Sequence, residues 1–320
     1  MMRSNWSELN NLIHNSEKIG VVSHINPDGD NLGSLLGLGL SLKSLNKDVY
    51  LIKADFIPND YKTLSGIELL DDFHGDYLDL LFVLDCSDPD RLGHNKFLMD
   101  KSKSIVNIDH HISNTNYGEF NFVDTTASST GEMIYELLIE LKLPINREIA
   151  ENLYVAISTD TGRFSYESVT GLTHKVISEL YKYNINAYHI NKVLYQSRSI
   201  QRTKLFIDAI SKLNFYYDTT VAIVKVTHNM LKDSDAKMED TEGIVEFLRD
   251  TDSVEVACLL KEMSSEEIKV SIRTKSNINA NEICSAFGGG GHIRASGCSI
   301  KADIHMAEKL IINEIAKYLE

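Results

Sequence analysis

"SIVNIDHHISN", residues 104–114, is the stretch on which the fold turns. Ile105, Val106 and Ile108 make a short apolar run without clean alternation, the pattern of a strand buried on both faces. Asp109, His110 and His111 stand where that run stops. A strand of this kind belongs to a parallel sheet covered by helices, and such sheets gather ligands beyond the carboxyl ends of their strands. The stretch therefore predicts an α/β domain with its chemistry at one edge of the sheet.

Residues 19–22, 49–52 and 78–84 have the same character as residues 104–108 and read as further strands of one mainly parallel sheet. Between the first two, "LGSLLGLGLSLKSL" (residues 32–45) reads as a helix whose Gly33, Gly37 and Gly39 let it pack closely on the sheet. "STGEMIYELLIELKLP" reads as a second helix, capped by Ser129 or Thr130 and stopped before Pro144. Residues 187–204 are polar and helix-prone, a bridge between a first domain (1–186) and a second (205–320). The β-branched alternation of "TVAIVKV", a hairpin containing Ile268, Val270 and Ile272, and a final amphipathic helix make the second domain α+β.

At 320 residues and 43% hydrophobic content the chain supports two domains, given roughly 100–200 residues per domain. Its net charge of −14 repels long polyanions, so extensive binding to duplex nucleic acid is not expected. Cys86, Cys258, Cys284 and Cys298 form no CxxC pair and read as reduced thiols in a core. The beginning, with Trp6, Leu9, Leu12 and Ile13 at helical spacing, lacks the layout of a signal peptide. No apolar run approaches the ~20 residues that span a bilayer. A cytoplasmic protein without a membrane partner is expected.

The chemistry of Asp109 and its neighbours recurs where other runs stop. "SHINPDGD" follows the first strand with His24, Asp28 and Asp30, and Asp85 follows residues 78–84. "LYVAIST" (residues 153–159), read as one more strand, ends at Asp160. Singly, an aspartate at an element end is usually a cap or turn residue. Together, four carboxylates and several imidazoles at one sheet edge repel strongly unless cations hold them. Two divalent cations match Asp28, Asp30, Asp85 and Asp160 in charge. In this arrangement His24 and Asp28 hold one ion, Asp30, His110 and Asp160 hold the other, and Asp85 bridges both. Two ions about 3.5–4 Å apart activate a hydroxide for in-line phosphoryl displacement. The mixed oxygen and imidazole set suits manganese first, with magnesium, zinc, cobalt and iron as alternatives. Asp109 orients an imidazole, leaving His111 to bind a phosphate oxygen or assist the leaving group. Asp88, Asp90, His94 and Asp124 read as turn and cap residues.

"FGGGGHIRASG" (residues 287–297) is the second chemical stretch. Gly288, Gly289, Gly290 and Gly291 predict an anion-binding nest of successive N–H groups, with His292 as a further donor. Arg273 ends a strand where a guanidinium can meet a phosphate or a base, and Arg294 is a second, weaker candidate.

"SHINPDGD", "LDCSD", "NIDHH" and "STDTG" resemble the motifs of the DHH phosphoesterase superfamily, and "FGGGGHIRASG" resembles the signature of its associated C-terminal domain (DHHA1). The resemblance covers nearly the whole chain in family order. By length and layout it is similar to the subgroup of bifunctional oligoribonucleases and 3′-phosphoadenosine-5′-phosphate (pAp) phosphatases, the NrnA type. That resemblance implies a two-manganese catalytic domain and a second domain that clamps the substrate across a cleft. It carries metal binding to His24, Asp28, Asp30, Asp85, His110 and Asp160, and phosphate contact to His111 and His292. Arg273 matches an S-x-R-S region, with Thr274 where serine is usual. The implied substrates are short single-stranded oligonucleotides and pAp, and a homodimer is compatible with the sequence. Enzymes cleaving cyclic di-AMP or pApA are the nearest alternative. A catalytically inactive nucleotide sensor is the alternative of another class, and no metal position is replaced as that reading requires.

Overall fold

The short apolar runs of the first half form one parallel sheet. The computed structural model describes residues 6–319 and divides the chain into two units, Met1–Ser197 and Arg198–Glu320. The division falls inside the segment read as the bridge, and that segment is two helices, one in each unit.

The first unit runs α1 (Trp6–Asn15), β1 (Lys18–Ser23), α2 (Gly29–Lys43), β2 (Asp48–Ile52), β3 (Leu70–Asp71), β4 (Leu78–Leu84), β5 (Ser102–Asp109), β6 (Phe120–Val123), α3 (Thr130–Glu140), α4 (Arg147–Asp160), α5 (Gly171–Tyr181) and α6 (Ala187–Tyr195). The sheet order is β3-β2-β1-β4-β5-β6 and every pairing is parallel. Strand order reverses between β1 and β4, which are hydrogen-bonded neighbours. A crevice opens at such a switch point because the chain leaves the two strands in opposite directions. One face of the sheet buries Val21, Leu80, Phe82 and Val106 against α1, α2, α3 and α4. The other buries Val22, Leu81 and Val83 under Leu92 and Leu98 of a short 3₁₀ segment.

Two expectations are corrected here. Residues 153–159 are not a strand; they lie in α4, which begins at an Asn146 cap. α4 packs among α2, α3 and α5, and residues Asn152 to Ser158 are all buried. A helix covered on several sides loses its polar stripe, so its apolar run looks like a buried strand. Gly33 and Gly37 face α4 rather than the sheet. A β-carbon at Gly33 would fall inside contact with the Asn152 carbonyl and 2.9 Å from the Ala156 methyl, and one at Gly37 would lie 2.7 Å from Leu153. Gly39 does face the sheet, at Leu51.

The second unit runs α7 (Ile200–Ser211), β7 (Asn214–Tyr216), β8 (Val221–Val226), α8 (His228–Ser234), α9 (Ile244–Arg249), β9 (Val256–Ser264), β10 (Glu267–Thr274), α10 (Ala280–Ser285), β11 (Gly290–Gly291), β12 (Ala295–Ile300) and α11 (Ile304–Ala316). Its sheet, in the order β11-β12-β10-β9-β8-β7, is antiparallel except for the β8–β9 pair. Ile268, Val270 and Ile272 alternate inward against α10 and α11. Ala222, Val224 and Leu259 face α7, α8 and α9.

Candidate active site

The loop after β1 turns sharply into α2, and three polar residues come out of that turn. His24 is 3% exposed, and its Nδ1–H donates to the Ile25 carbonyl at 2.7 Å. A carbonyl only accepts, so Nδ1 carries the proton and the Nε2 lone pair is left for a cation. Asn31 donates from Nδ2 to the His24 carbonyl at 2.9 Å and pins the loop. Asp28 caps α2, accepting from the Asn31 N–H with Oδ1. Its Oδ2 lies 4.0 Å from His24 Nε2.

Asp30, in the first turn of α2, is 1% exposed. Thr130 N–H (2.7 Å) and Gly131 N–H (2.8 Å) donate to its two oxygens, and Ser34 Oγ–H adds a third bond at 3.0 Å. The start of α3, with its unpaired N–H groups and positive dipole end, thus anchors this carboxylate. Ser129 is the α3 cap, bonded to Glu132 N–H. Asp85 leaves β4 in the left-handed region (φ 52°), rare for a residue other than glycine and frequent at functional sites. Its Oδ2 lies 3.3 Å from His24 Nε2, and its Oδ1 accepts from Thr130 Oγ–H at 3.0 Å.

The end of β5 leads into the two histidines. His110 Nδ1–H donates to the Ala127 carbonyl at 3.3 Å, which again turns Nε2 inward. That nitrogen lies 3.3 Å from Asp160 Oδ2 and 3.8 Å from both Asp30 Oδ2 and Asp85 Oδ1. His111 points its Nδ1–H at Asp109 Oδ1, 2.6 Å away. Asp160 arrives from the last turn of α4, where Gly162, Arg163 and Phe164 follow in positive-φ conformations.

All six residues read as metal ligands therefore meet. Three donor sets have their ligand atoms within 4.8 Å of one another: His24, Asp28 and Asp85; Asp30, His110 and Asp160; Asp85, His110 and His111. Electrostatics favours cations in the same place. Burial, and then the charges of Asp85 and Asp160, push the Asp30 carboxyl far above its usual range. Burial, then Asp85 and Asp28, does the same to Asp160. Burial works against ionisation of Asp85 as well, but the hydrogen bond to His24 and the nearby imidazoles hold its pKa low. Carboxylates this crowded stay charged together when divalent cations replace the missing solvent. The donor set fits two such ions.

In the second unit the glycine run differs from the expected nest. Gly288 N–H donates to the Ser285 carbonyl and Gly289 N–H to the Cys284 carbonyl, closing the end of α10. Gly290 pairs with Gly297, and His292 N–H donates to the Ala295 carbonyl at 2.8 Å. Four successive free N–H groups do not form. Glycine is required for backbone shape: Gly288 has φ 72°, and Gly291 has φ 150° with its would-be β-carbon 2.5 Å from the Ala295 carbonyl. His292 is exposed at the hairpin turn. Arg273 lies one strand away, opposite Ala295, with Nε donating to Glu246 Oε1 at 3.0 Å. Arg294 Nη1 donates to the Ile278 carbonyl at 3.2 Å. Asp88 and Asp124 accept from nearby backbone N–H groups, as turn residues do.

Ser34 and Asn31 escaped the sequence reading, and Thr130 was read as a helix cap without its bonds to Asp30 and Asp85. "SSTG" marks a helix start, but which carboxylate that helix end meets depends on the packing of α3 on α2.

Residues 18–157 match the profile described as "DHH family, N-terminal domain", and residues 218–320 match that of the "DHHA1 domain". A Streptococcus mutans protein named as a probable bifunctional oligoribonuclease and PAP phosphatase NrnA is 30% identical, over 86% of this chain and 87% of its own length. The chain belongs to the DHH phosphoesterase family. As a DHH phosphoesterase it is a hydrolase of phosphoric esters. A Thermus thermophilus bifunctional oligoribonuclease and PAP phosphatase NrnA is 29% identical, over 94% of this chain and 90% of its own. The structure of an exopolyphosphatase-related protein from Bacteroides fragilis superimposes with a TM-score of 0.94 at 27% identity, covering 99% and 96% of the two chains. RecJ from Thermus thermophilus shares the DHH fold at 13% identity (TM-score 0.56; 99% of this chain, 54% of RecJ).

Proposed function

We propose that this DHH phosphoesterase hydrolyses short oligoribonucleotides to mononucleotides and pAp to AMP, with two divalent cations, manganese first among them. The observation that carries the reading is the trio of donor sets joined by Asp85 and His110. The names of relatives aligned over 86–94% of the chain supply the substrates.

In this reading His24, Asp28 and Asp85 would hold one cation, and Asp30, His110 and Asp160, with Asp85, would hold the other. When bound, such a pair supplies Lewis acidity, making a nucleophile from water at neutral pH and neutralising phosphoryl charge. The protein's own groups do the rest. Nδ1–H bonds to carbonyls fix the His24 and His110 tautomers, and the start of α3 fixes Asp30. His111, oriented by Asp109, contacts a phosphate oxygen. In the second unit (here 198–320), His292, Arg273 and the Gly288, Gly289, Gly290 and Gly291 hairpin grip the substrate, with Glu246 setting the direction of the guanidinium. The −14 net charge supports short over long or duplex substrates. Four unpaired cysteines support work in a reducing compartment, the cytoplasm. Among the described residues no helix is long and apolar enough to cross a membrane.

A panel of pAp, pApA, short RNA, short DNA, cyclic di-AMP and pyrophosphate, assayed with manganese and resolved by chromatography, tests the reading. Release of AMP from pAp and of mononucleotides from short RNA is expected. Turnover of cyclic di-AMP or pApA alone overturns the substrate assignment, and binding without turnover of any substrate overturns the catalytic one.

A further inference from the structure

Asn114 lies three residues past His111 and belongs to none of the three donor sets, yet both its amide hydrogens and its amide oxygen have partners. Its Nδ2 donates to Asp109 Oδ2 at 2.6 Å and to Asn107 Oδ1 at 2.8 Å. Its Oδ1 accepts from Asn116 N–H at 2.7 Å. An amide offers two donor hydrogens and one acceptor oxygen, and each has a partner here. Asp109, fully buried, has one oxygen on Asn114 and the other on His111 Nδ1–H.

The far end of the chain is anchored beside Asp85. Asn107 is a fully buried amide inside β5, a position where an apolar side chain would avoid the penalty of a desolvated amide. Its Nδ2 donates toward the carbonyls of Val83 (3.1 Å) and Cys86 (3.2 Å), which flank Asp85, and toward Tyr117 Oη (3.1 Å). Tyr117 donates in turn to the Cys86 carbonyl at 2.8 Å, and Thr115 N–H reaches the Ser87 carbonyl at 2.9 Å. A continuous polar path thus ties the backbone around Asp85 to the imidazole of His111, and Asn114 is its middle link.

We infer that Asn114 is a positioning residue of the active site: its amide fixes Asp109, and Asp109 then holds His111 in one tautomer and one orientation. The inference rests on the reading of His111 as the phosphate contact. Without the Asn114 donor, the Asp109 carboxylate turns about its own axis and the imidazole loses its fixed direction. Aspartate at 114 has the same shape but opposes one carboxylate with another. Neither change removes any of the six residues read as metal ligands or any group of the second unit's grip.

The test compares Asn114→Ala and Asn114→Asp with the native protein, each with and without His111→Ala, using pAp and manganese. For each protein kcat, KM, bound manganese and melting temperature are measured. In the native background kcat falls by on the order of 10²-fold, as misplacement of a reacting group predicts, while KM and bound manganese change less than about twofold. In the His111→Ala background the same changes alter kcat less than about threefold, because residues acting through one another are not additive. In manganese-free protein the exchange-protected His111 Nδ1–H resonance disappears in both variants. Equal losses in both backgrounds, unchanged kcat, or failure of both variants to fold assigns Asn114 a structural role and overturns the inference. Native turnover of pAp by His111→Ala alone overturns the reading of His111, and the inference with it.

Discussion

Asp85 concentrates the chemistry of the site in one side chain. It sits at the switch point, in a left-handed backbone conformation, with Oδ2 toward His24 and Oδ1 toward His110. Asp85→Asn keeps the size and the tolerance for positive φ while removing the charge. Elemental analysis of that variant should find fewer than two tightly bound manganese ions and pAp turnover should be lost; two retained ions would contradict the shared position. Lys261 makes a different prediction. It is 8% exposed on β9, and burial lowers its pKa. A lysine whose folded pKa is depressed weighs against the fold while charged, so stability is withheld at neutral pH. It returns as pH rises through the folded pKa toward the unfolded value of about 10.4. Lys261→Met should raise stability at pH 7, an advantage that shrinks toward pH 10 in urea titrations. A constant advantage across that range would point to packing alone.

Glycines decide how closely the elements approach. Gly33→Ala pushes a methyl into the Asn152 carbonyl where α2 crosses α4, and overpacking of this kind costs about 1–3 kcal/mol. Because α2 carries Asp30 and α4 carries Asp160, that variant should also bind manganese more weakly, which calorimetry can read. In the second unit Gly291 and Gly290 separate shape from function. Gly291→Ala clashes with the Ala295 carbonyl and should disrupt the hairpin, lowering both the melting temperature and pAp turnover. A β-carbon at Gly290 meets nothing nearer than 3.6 Å, so Gly290→Ala should change stability by less than about 0.5 kcal/mol. Equal destabilisation by the two would show that glycine is kept there for flexibility.

At the scale of the molecule, the proposed reading gives metal binding to residues of the first unit and substrate grip to residues of the second. His292→Ala should keep both manganese ions and the melting temperature, and lose pAp turnover by on the order of 10²-fold through lost positioning. His110→Ala should lose metal and turnover together. Full pAp activity in His292→Ala would remove the second unit from substrate capture. Rates on RNAs of two, five and twenty or more nucleotides test the consequence of the −14 charge. The shortest should be cleaved fastest, and the preference should narrow as added salt screens the repulsion.

Residue order alone was enough to read the β1, β2, β4 and β5 strands and the clustering of His24, Asp28, Asp30, Asp85, His110 and Asp160. Those features are local: apolar runs buried on both faces carry no polar stripe, and ligands stand where the runs stop. α4 was misread for the same reason, since burial on several sides erases helical periodicity too. Other features came only from tertiary structure. That Thr130 meets Asp30 and that Gly33 faces Asn152 depend on contacts between segments about 100 and about 120 residues apart, while the closing of the glycine run into a hairpin and the path from Asn107 through Asn114 to His111 depend on how the backbone folds back over a few residues. Hydrogen bonds and close packing are directional and short-ranged, so they exist once the sheet and helices have brought the partners together, and no spacing along the chain encodes them.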